Sequence, residues 1–474
     1  MRFCSCCCWL LFVLLSPTVA EDNKPVELRF HGQVLSPSGD PVPHAKLTVL
    51  SGMNRTDRPA KTLTADANGK FEFMNSCLFS THIVASGFEG EWMGEVIVSN
   101  WNARVDVREP ITIPLKDSHR VIVTVTHNGL SVPGASVTET DTMAIPVKTD
   151  MEGTAILTIP SSRTEYLDIY AWHPERGIAA AHPQLNEHEE MPQELNLELV
   201  KPQPLIVEAK DDQGREVPDL EFLPSVAWKV ADKEYWFDSS PFSELSARTD
   251  STGQVTLDWT PGEAMRVEAQ IVSPNWHLDR NEAGDAPGEF RLIVREKFPI
   301  HGKLVAPEGV AMDGLLIVAT AMGDGQHVEF VETRANERGE FMFHAVPGYE
   351  YAITVCDSEW CSDTLAGVLL ANGQTETDPV TLNLQPAIPA EITVEVGPDH
   401  QPAADQYVDI TYAVDTEDAT HEISTWFKTD ESGKVRTGLR QGTHTIELDH
   451  LKKREKKELK IHSDEPVKFT WHLQ

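Results

Sequence analysis

The chain has 474 residues and a formal net charge of −34, from 74 acidic and 40 basic residues. One hydrophobic core serves roughly 100–200 residues, so the length excludes a single ordinary domain, and the 40% hydrophobic content excludes wholesale disorder. The acidic balance argues against nucleic acid and anionic membrane surfaces as partners.

The first twenty residues have the pattern of a signal peptide. Arg2 precedes the apolar run from Trp9 to Leu15, and small residues lead to Ala20. The run is shorter than the ~20 residues of a membrane-spanning helix, so we predict cleavage after Ala20 and export. The alternative is an uncleaved anchor that uses the Cys-rich segment 4–8 as extra apolar length. No later segment approaches transmembrane length, so we expect no span in the mature chain.

Three cysteines remain after that cleavage, namely Cys77, Cys356 and Cys361. In an oxidising compartment, Cys356 and Cys361 are close enough in sequence to form a local disulfide. Cys77 is then an odd thiol near a strand end, and its redox state is left open. Three cysteines form neither a disulfide scaffold nor a zinc site.

A short pattern recurs five times along the mature chain. It begins with Asp or Asn, has Gly three residues later, and continues with apolar residues at alternate positions. Successive copies begin 84 to 100 residues apart, which is the size of a small sandwich domain. The defining residues are Asp66 and Gly69, Asp150 and Gly153, Asp250 and Gly253, Asn336 and Gly339, and Asp430 and Gly433.

The chemistry of this pattern predicts a β-hairpin corner. Asp or Asn at the start of a turn accepts backbone N–H groups, and Gly adopts the positive φ that closes the turn. The apolar alternation that follows, such as Phe71 and Phe73, is typical of a half-buried strand. The alternative is weak calcium binding by the carboxylates, but the pattern lacks the further oxygen ligands of a calcium loop.

Each corner lies between other predicted strands. A strand, a polar turn, a Pro-marked kink and a second strand come before it, and two further strands follow. Without any long helical periodicity, this order predicts an all-β chain of about five small Ig-like or transthyretin-like β-sandwich domains in tandem. The predicted divisions are a signal peptide over 1–20 and sandwiches over 21–117, 118–201, 202–297, 298–388 and 389–474.

Unit one carries a resemblance to a known family. Its residues Gly32, Val34, Gly39, Pro41, Val42, Ala45 and Val49, followed by the corner and two phenylalanines, resemble the carboxypeptidase regulatory-like domain. That family is a transthyretin-like sandwich, similar in shape to collagen-adhesin B-type repeats. Unit four matches through Gly302, Val305, Gly339, Phe341 and Phe343, whereas the other units keep the corner and lose several positions. The resemblance implies non-catalytic adaptor or binding modules in exported bacterial proteins.

No residue is predicted to be catalytic, to bind a cofactor or to ligate a metal tightly. The densest His and acid cluster, around His182 and His188, reads as a solvated loop. A hydrolase would need acids and a His to converge across loops, with His188 the residue to test. Tryptophans near strand ends are either sugar-stacking residues or plugs of a sandwich core, and they are Trp92, Trp101, Trp172, Trp236, Trp276 and Trp360.

Together these features predict a secreted or periplasmic, surface-associated protein without enzymatic activity. Its predicted role is to bind polysaccharide or an envelope protein, with weak calcium as a further ligand. The alternative is a structural spacer of the cell envelope, which stiff contacts between the units would favour. The ligand and the arrangement of the units are left open.

Overall fold

The computed structural model describes residues 27–51, 61–76, 80–87, 90–99, 110–139, 146–160, 167–183, 191–230, 233–261, 264–284, 288–323, 326–357, 359–370, 378–404, 406–415, 420–430, 432–450 and 453–473. These residues form 39 β-strands and one 3-10 turn, Ser243–Leu245. The predicted all-β fold is therefore confirmed. The predicted signal peptide, Cys77, Trp101 and His188 lie outside the described residues.

The strands fall into five groups in chain order. The first contains β1 Glu27–Leu35, β2 Lys46–Ser51, β3 Lys61–Thr64, β4 Lys70–Ser76, β5 Ser80–Gly87, β6 Trp92–Ser99 and β7 Ile111–Pro114. The second contains β8 Lys116–His127, β9 Leu130–Ser131, β10 Ser136–Glu139, β11 Val147–Lys148, β12 Thr154–Pro160, β13 Ile169–His173, β14 Gly177–Ala181 and β15 Glu194–Glu198. The third contains β16 Leu205–Asp211, β17 Glu221–Val230, β18 Lys233–Asp238, β19 Ala247–Arg248, β20 Gln254–Leu257, β21 Ala264–Ile271, β22 Trp276–Ala283 and β23 Glu289–Glu296.

The two remaining groups complete the chain. The fourth contains β24 Phe298–Val305, β25 Leu316–Gly323, β26 Gln326–Arg334, β27 Glu340–Ala345, β28 Glu350–Val355, β29 Trp360–Ser362, β30 Leu365–Leu369 and β31 Val380–Pro386. The fifth contains β32 Ile388–Val396, β33 Gln401–Pro402, β34 Tyr407–Asp415, β35 Thr420–Lys428, β36 Lys434–Leu439, β37 Gly442–His450, β38 Lys453–Ile461 and β39 Val467–Leu473.

All five groups share one sheet arrangement. The first strand of each lies between the strand that follows the corner, which is antiparallel to it, and the closing strand, which is parallel to it. In the first group, Gly32 of β1 is opposite Phe71 of β4 and Ile111 of β7. The equivalent trios are β8 with β12 and β15, β16 with β20 and β23, β24 with β27 and β31, and β32 with β36 and β39. A second sheet completes each sandwich.

Apolar side chains at alternate positions of the strands fill the space between the two sheets. In β4, Phe71 and Phe73 are buried while Lys70 and Glu72 are exposed, and the ring of Phe73 stacks on Phe30 of β1 at 5.0 Å. Each sandwich has a buried apolar cluster of this kind. Such burial is the main favourable term in the folding of each unit.

The links between consecutive sandwiches are short. At three of the four links one residue separates the closing strand from the next first strand, and these residues are Leu115, Lys297 and Ala387. The link over 199–204 is longer but is bridged on both sides, through Val200 to Ile178 and Pro202 to Pro261. The predicted boundary after residue 117 falls inside β8, because this strand also pairs with β6 of the first sandwich.

Among the described residues, no helix is long and apolar enough to cross a membrane.

Candidate functional site

The five predicted corners all have the same hydrogen bonding. In each, Oδ1 of the Asp or Asn accepts the backbone N–H groups two and four residues later, at 2.8–3.1 Å. These two backbone donors lower the pKa of the Asp66 carboxyl group. The side-chain Oδ1 atom of each corner is therefore hydrogen-bonded to the backbone without an ion. Calcium binding at the corners stays a prediction.

The corner glycines also tie each turn to the first strand of its sandwich. Gly69, for example, has φ of 70°, and its carbonyl accepts the N–H of Val34 at 2.8 Å. The same bond links Gly433 to Val394 at 2.7 Å. The corners are thus part of the sandwich framework.

His182 lies at the junction of the second and third sandwiches. Its Nδ1 is 2.7 Å from Oδ1 of Asp168, and its Nε2 is 3.1 Å from the backbone oxygen of Trp236. The side chain is half-buried, 26% exposed, which differs from a solvated loop because the third sandwich packs against it. His188 and its neighbouring acids lie outside the described residues.

The described tryptophans of the strand-end set are buried or half-buried in core or junction contacts. Trp172 is 8% exposed and belongs to an apolar cluster that spans the second and third sandwiches, with its ring 6.1 Å from Phe242. Trp276 packs against the same cluster, whereas Trp92 and Trp360 pack against the cores of their own sandwiches. The guanidinium group of Arg266 lies over the Trp236 ring. These positions favour a packing role over sugar stacking.

Cys356 and Cys361 lie opposite each other across an isolated antiparallel bridge. Both are free thiols, so their disulfide stays a prediction. Burial and the nearby charge of Glu332 raise the pKa of Cys356 to about 12, and burial raises that of Cys361. The thiolate, which is the reactive form, is thereby disfavoured.

A partly apolar cleft of about 60 Å³ lies where the fourth and fifth sandwiches meet, beside this cysteine pair. Its apolar wall consists of Val355, Ile410, Ile423, Phe427 and Leu439. A volume of this size exceeds what one water needs, which is about 10–15 Å³ on the same measure. The cleft is therefore large enough for a few atoms of a ligand.

Two basic side chains provide the polar edge of the cleft. Arg440 lies 4.0 Å from the centroid of the Tyr412 ring and donates through one terminal nitrogen to the hydroxyl group of Thr364 in the fourth sandwich. His444 donates its Nε2–H to the Arg440 carbonyl oxygen, 2.9 Å away. Among the described residues, Nε of Arg440 and Nδ1 of His444 are buried without a hydrogen-bond partner. The arrangement suits a ligand that pairs an apolar body with a hydroxyl group, which can accept from Nε of Arg440 and donate to Nδ1 of His444.

A buried acid lies in the same junction. Glu332 is 4% exposed, and neither of its carboxylate oxygens has a hydrogen-bond partner among the described residues. Burial raises its pKa to about 8, and the charge of Arg334 offsets only part of this shift. An isolated buried carboxylate is costly, so the group is kept in its neutral form near neutral pH.

The third and fourth sandwiches meet in a network of charged and aromatic groups. Glu329 of the fourth sandwich accepts the Tyr351 hydroxyl at 2.5 Å and lies 3.3 Å from Nζ of Lys297 and 3.7 Å from Nδ1 of His277. Burial of the His277 imidazole lowers its pKa, whereas the Glu329 charge opposes that shift. The network connects β22, the linking residue Lys297 and β26.

Sequence reasoning missed Arg440, His444, Glu332 and Glu329. Each lies in a strand or turn whose alternation resembles that of an ordinary half-exposed strand. Their burial and contacts at the junctions depend on the docking of the adjacent sandwich, and no local motif encodes that docking.

Comparison with known proteins gives no match to any family model and none to curated protein sequences. Solved structures that align with the chain include a pilin and repeat units of a collagen-binding protein. The TIE protein of Bacillus anthracis is 12% identical with a TM-score of 0.15, over 96% of this chain and 76% of that one. A shaft pilin of Lactobacillus rhamnosus GG is 10% identical with a TM-score of 0.17, over 38% and 98%. Two B repeat units of the collagen-binding protein of Staphylococcus aureus are 10% identical with a TM-score of 0.15, over 73% and 94%. Scores this low carry no argument about the role of this chain.

Proposed function

We propose that this chain is an exported, non-catalytic scaffold of a bacterial cell surface or envelope. Its five sandwiches, of the carboxypeptidase regulatory-like kind, hold attached or bound partners at a set separation. The observation that carries this proposal is the length of the links, since three of four consist of one residue. A link of one residue between two β-strands leaves few backbone dihedrals about which adjacent units can rotate.

Contacts across the links support the same function. The second and third sandwiches share an apolar cluster in which Tyr170 lies 5.1 Å from Phe237. The fourth and fifth share a smaller one, in which Ile423 of β35 packs with Leu316 and Val318 of β25. Interfaces of this type restrict the relative motion of domains, which is otherwise the default for domains on a flexible linker.

Small-angle X-ray scattering tests the scaffold function on the mature chain, Glu21 to Gln474. We expect one well-defined maximum dimension, independent of salt concentration. Insertion of six Gly and Ser residues after Ala387 should broaden the distance distribution, whereas the same insertion after Gly309, an exposed turn residue with no atom near its missing side chain, should not. A broad, linker-like distribution for the wild type would overturn the proposal.

Ligand binding is a second candidate function, and the cleft between the fourth and fifth sandwiches favours it. The partner would be a polysaccharide or an envelope protein, with weak calcium as a further ligand. Arg440 is the residue best placed to contact an acceptor group in that cleft.

Retention of the mature chain on polysaccharide and envelope fractions, with and without calcium, tests this second function. Saturable retention that Arg440→Gln reduces at least tenfold would support binding at the cleft. Retention that is unchanged by Arg440→Gln would exclude the cleft, and no retention on any fraction would leave the scaffold as the only function proposed.

A further inference from the structure

Three side chains of the fifth sandwich bring potential metal ligands to one point. Oε2 of Glu395 lies 3.1 Å from Nδ1 of His400 and 2.9 Å from Nδ1 of His472. The two imidazole Nδ1 atoms are 3.0 Å apart. One oxygen and two nitrogens therefore form a nearly equilateral triangle.

The sheet and one turn create this convergence. In the parallel pairing of β32 with β39, Glu395 lies directly opposite His472, so their side chains project from the same face. His400 comes from the turn that follows β32, where its N–H bonds to the Gly397 carbonyl at 3.3 Å. A φ of 52° at His400 and a bond from the Gly397 N–H to the Leu473 carbonyl at 3.0 Å hold that turn against β39.

The size of the triangle matches one face of a metal coordination shell. Zinc and similar ions bind imidazole nitrogen and carboxylate oxygen at about 2.0–2.2 Å. For an octahedral ion with bonds of about 2.1 Å, adjacent ligand atoms are about 3.0 Å apart, and for a tetrahedral ion with bonds of about 2.0 Å the separation is about 3.3 Å. The edges of 2.9, 3.0 and 3.1 Å fit the octahedral face best.

The orientation and exposure of the rings also suit an ion. The imidazole planes are inclined at 76° with centroids 4.6 Å apart, so the rings do not stack and both Nδ1 atoms can point to a shared position. The side chains of His400 and His472 are 60% and 54% exposed, against 25% for Glu395. Solvent can reach the open side of the triangle and supply the remaining ligands as water.

We propose that Glu395, His400 and His472 form a binding site for a divalent transition-metal ion. Two imidazoles and one carboxylate favour zinc, nickel, cobalt or copper over calcium and magnesium, which prefer an all-oxygen shell. The ion would fasten the closing strand β39 to the turn after β32. This site is separate from the corner carboxylates and from the cleft, and it does not depend on the scaffold function.

Titration calorimetry of the mature chain with Zn²⁺, and visible absorption with Co²⁺, test the site. Three variants remove one ligand each, namely Glu395→Gln, His472→Gln and His400→Asn. Asn is chosen at position 400 because it tolerates a left-handed backbone conformation. His462→Gln is the matched control, since His462 is an exposed histidine of the same sandwich outside the triangle.

We expect a saturable step of one Zn²⁺ per chain that each ligand variant weakens at least tenfold and that His462→Gln leaves unchanged. Bound Co²⁺ should show the weak d–d bands of an octahedral shell, and strong bands would indicate a tetrahedral one at the same residues. The proposal is overturned if the wild type shows no saturable step, or if the ligand variants bind Zn²⁺ as the wild type does. Circular dichroism of the variants distinguishes loss of ligands from loss of fold.

Discussion

The corner glycines show how one residue type controls the framework of each sandwich. At Gly433, φ is 70°, and an added Cβ would lie 2.6 Å from the Val394 carbonyl oxygen and 2.9 Å from the Ala403 nitrogen. At Gly397 of the same sandwich, φ is 73°, yet no atom lies within 4 Å of an added Cβ. The two positions differ in steric contact and share the cost of a left-handed backbone.

This pair gives a matched test at the residue scale. Both alanine variants should lose about 1 kcal/mol from the positive φ, and Gly433→Ala should lose roughly 2 kcal/mol more because backbone atoms must move. Hydrogen exchange of β32 and β36 measures the difference as faster exchange in Gly433→Ala. Equal exchange in the two variants would show that the corner does not anchor the first strand.

A second residue-scale prediction concerns Glu332. A carboxyl group whose pKa is raised on folding binds more protons in the folded state at pH values between its ordinary pKa and its raised one. The contribution of Glu332 to folding stability is therefore fully present below pH 4.5 and is lost as the pH rises to about 8. At about 1.4 kcal/mol per pKa unit, the loss over the rise from 4.5 to about 8 is on the order of 5 kcal/mol.

Substitution Glu332→Gln should remove much of this pH dependence because the amide does not ionise. Thermal unfolding at pH 5 and pH 8 would then show a smaller difference in melting temperature than in the wild type. Glu308→Gln, at an exposed position of the same sandwich, is the control. An unchanged pH dependence in Glu332→Gln would mean that the acid is solvated in solution.

At the scale of elements, strand β8 couples the first two sandwiches. It pairs with β6 at Asp117 and Lys116, and further along with β12 and β15 of the second sandwich. At the crossing point, Ser118 donates its N–H to the Glu91 carbonyl at 3.0 Å and its hydroxyl to the Gly90 carbonyl at 2.5 Å. One strand thus carries hydrogen bonds from both units.

We expect Ser118→Pro to uncouple the two sandwiches, because proline lacks the N–H and restricts φ. Calorimetric unfolding should then show an additional, separate transition, with a loss of roughly 3 kcal/mol. Ser118→Ala removes only the hydroxyl bonds and should cost about 1 kcal/mol without splitting the transition. Identical transitions in both variants would argue against coupling through β8.

The elements themselves could be predicted from sequence because their signals are local. An Asp, a Gly three residues later and alternating apolar residues are enough to identify the corner at Asp250 and the strand that follows it. The junctions could not be predicted from sequence. Glu332, for example, lies in a strand whose alternation does not determine whether this side chain is exposed, and the docked fifth sandwich buries it. The register that brings Glu395 to His472 joins residues more than seventy positions apart, and no pattern along the chain specifies it.

For the whole molecule, the question is whether the junctions transmit stability from one sandwich to the next. The junction of the third and fourth units depends on Glu329, whose carboxylate faces Lys297 and His277 and accepts the Tyr351 hydroxyl. The carboxylate is 9% exposed, so solvent screens these interactions less than at the surface. Arg295 adds a contact over the Tyr349 ring at 5.1 Å, which makes this junction both polar and aromatic.

Glu329→Ala should therefore destabilise both sandwiches at once. Removal of the carboxylate leaves Lys297 and the Tyr351 hydroxyl group without this acceptor, although the hydroxyl still accepts the Val346 N–H, at a cost of roughly 1–3 kcal/mol. Since the cost falls on the interface, hydrogen exchange should increase in β22 and β23 of the third unit as well as in β26 of the fourth. Glu308→Ala, at an exposed site in the fourth unit, should change neither. If exchange increases only in β26, the sandwiches are energetically independent, and the scaffold would depend on short links alone.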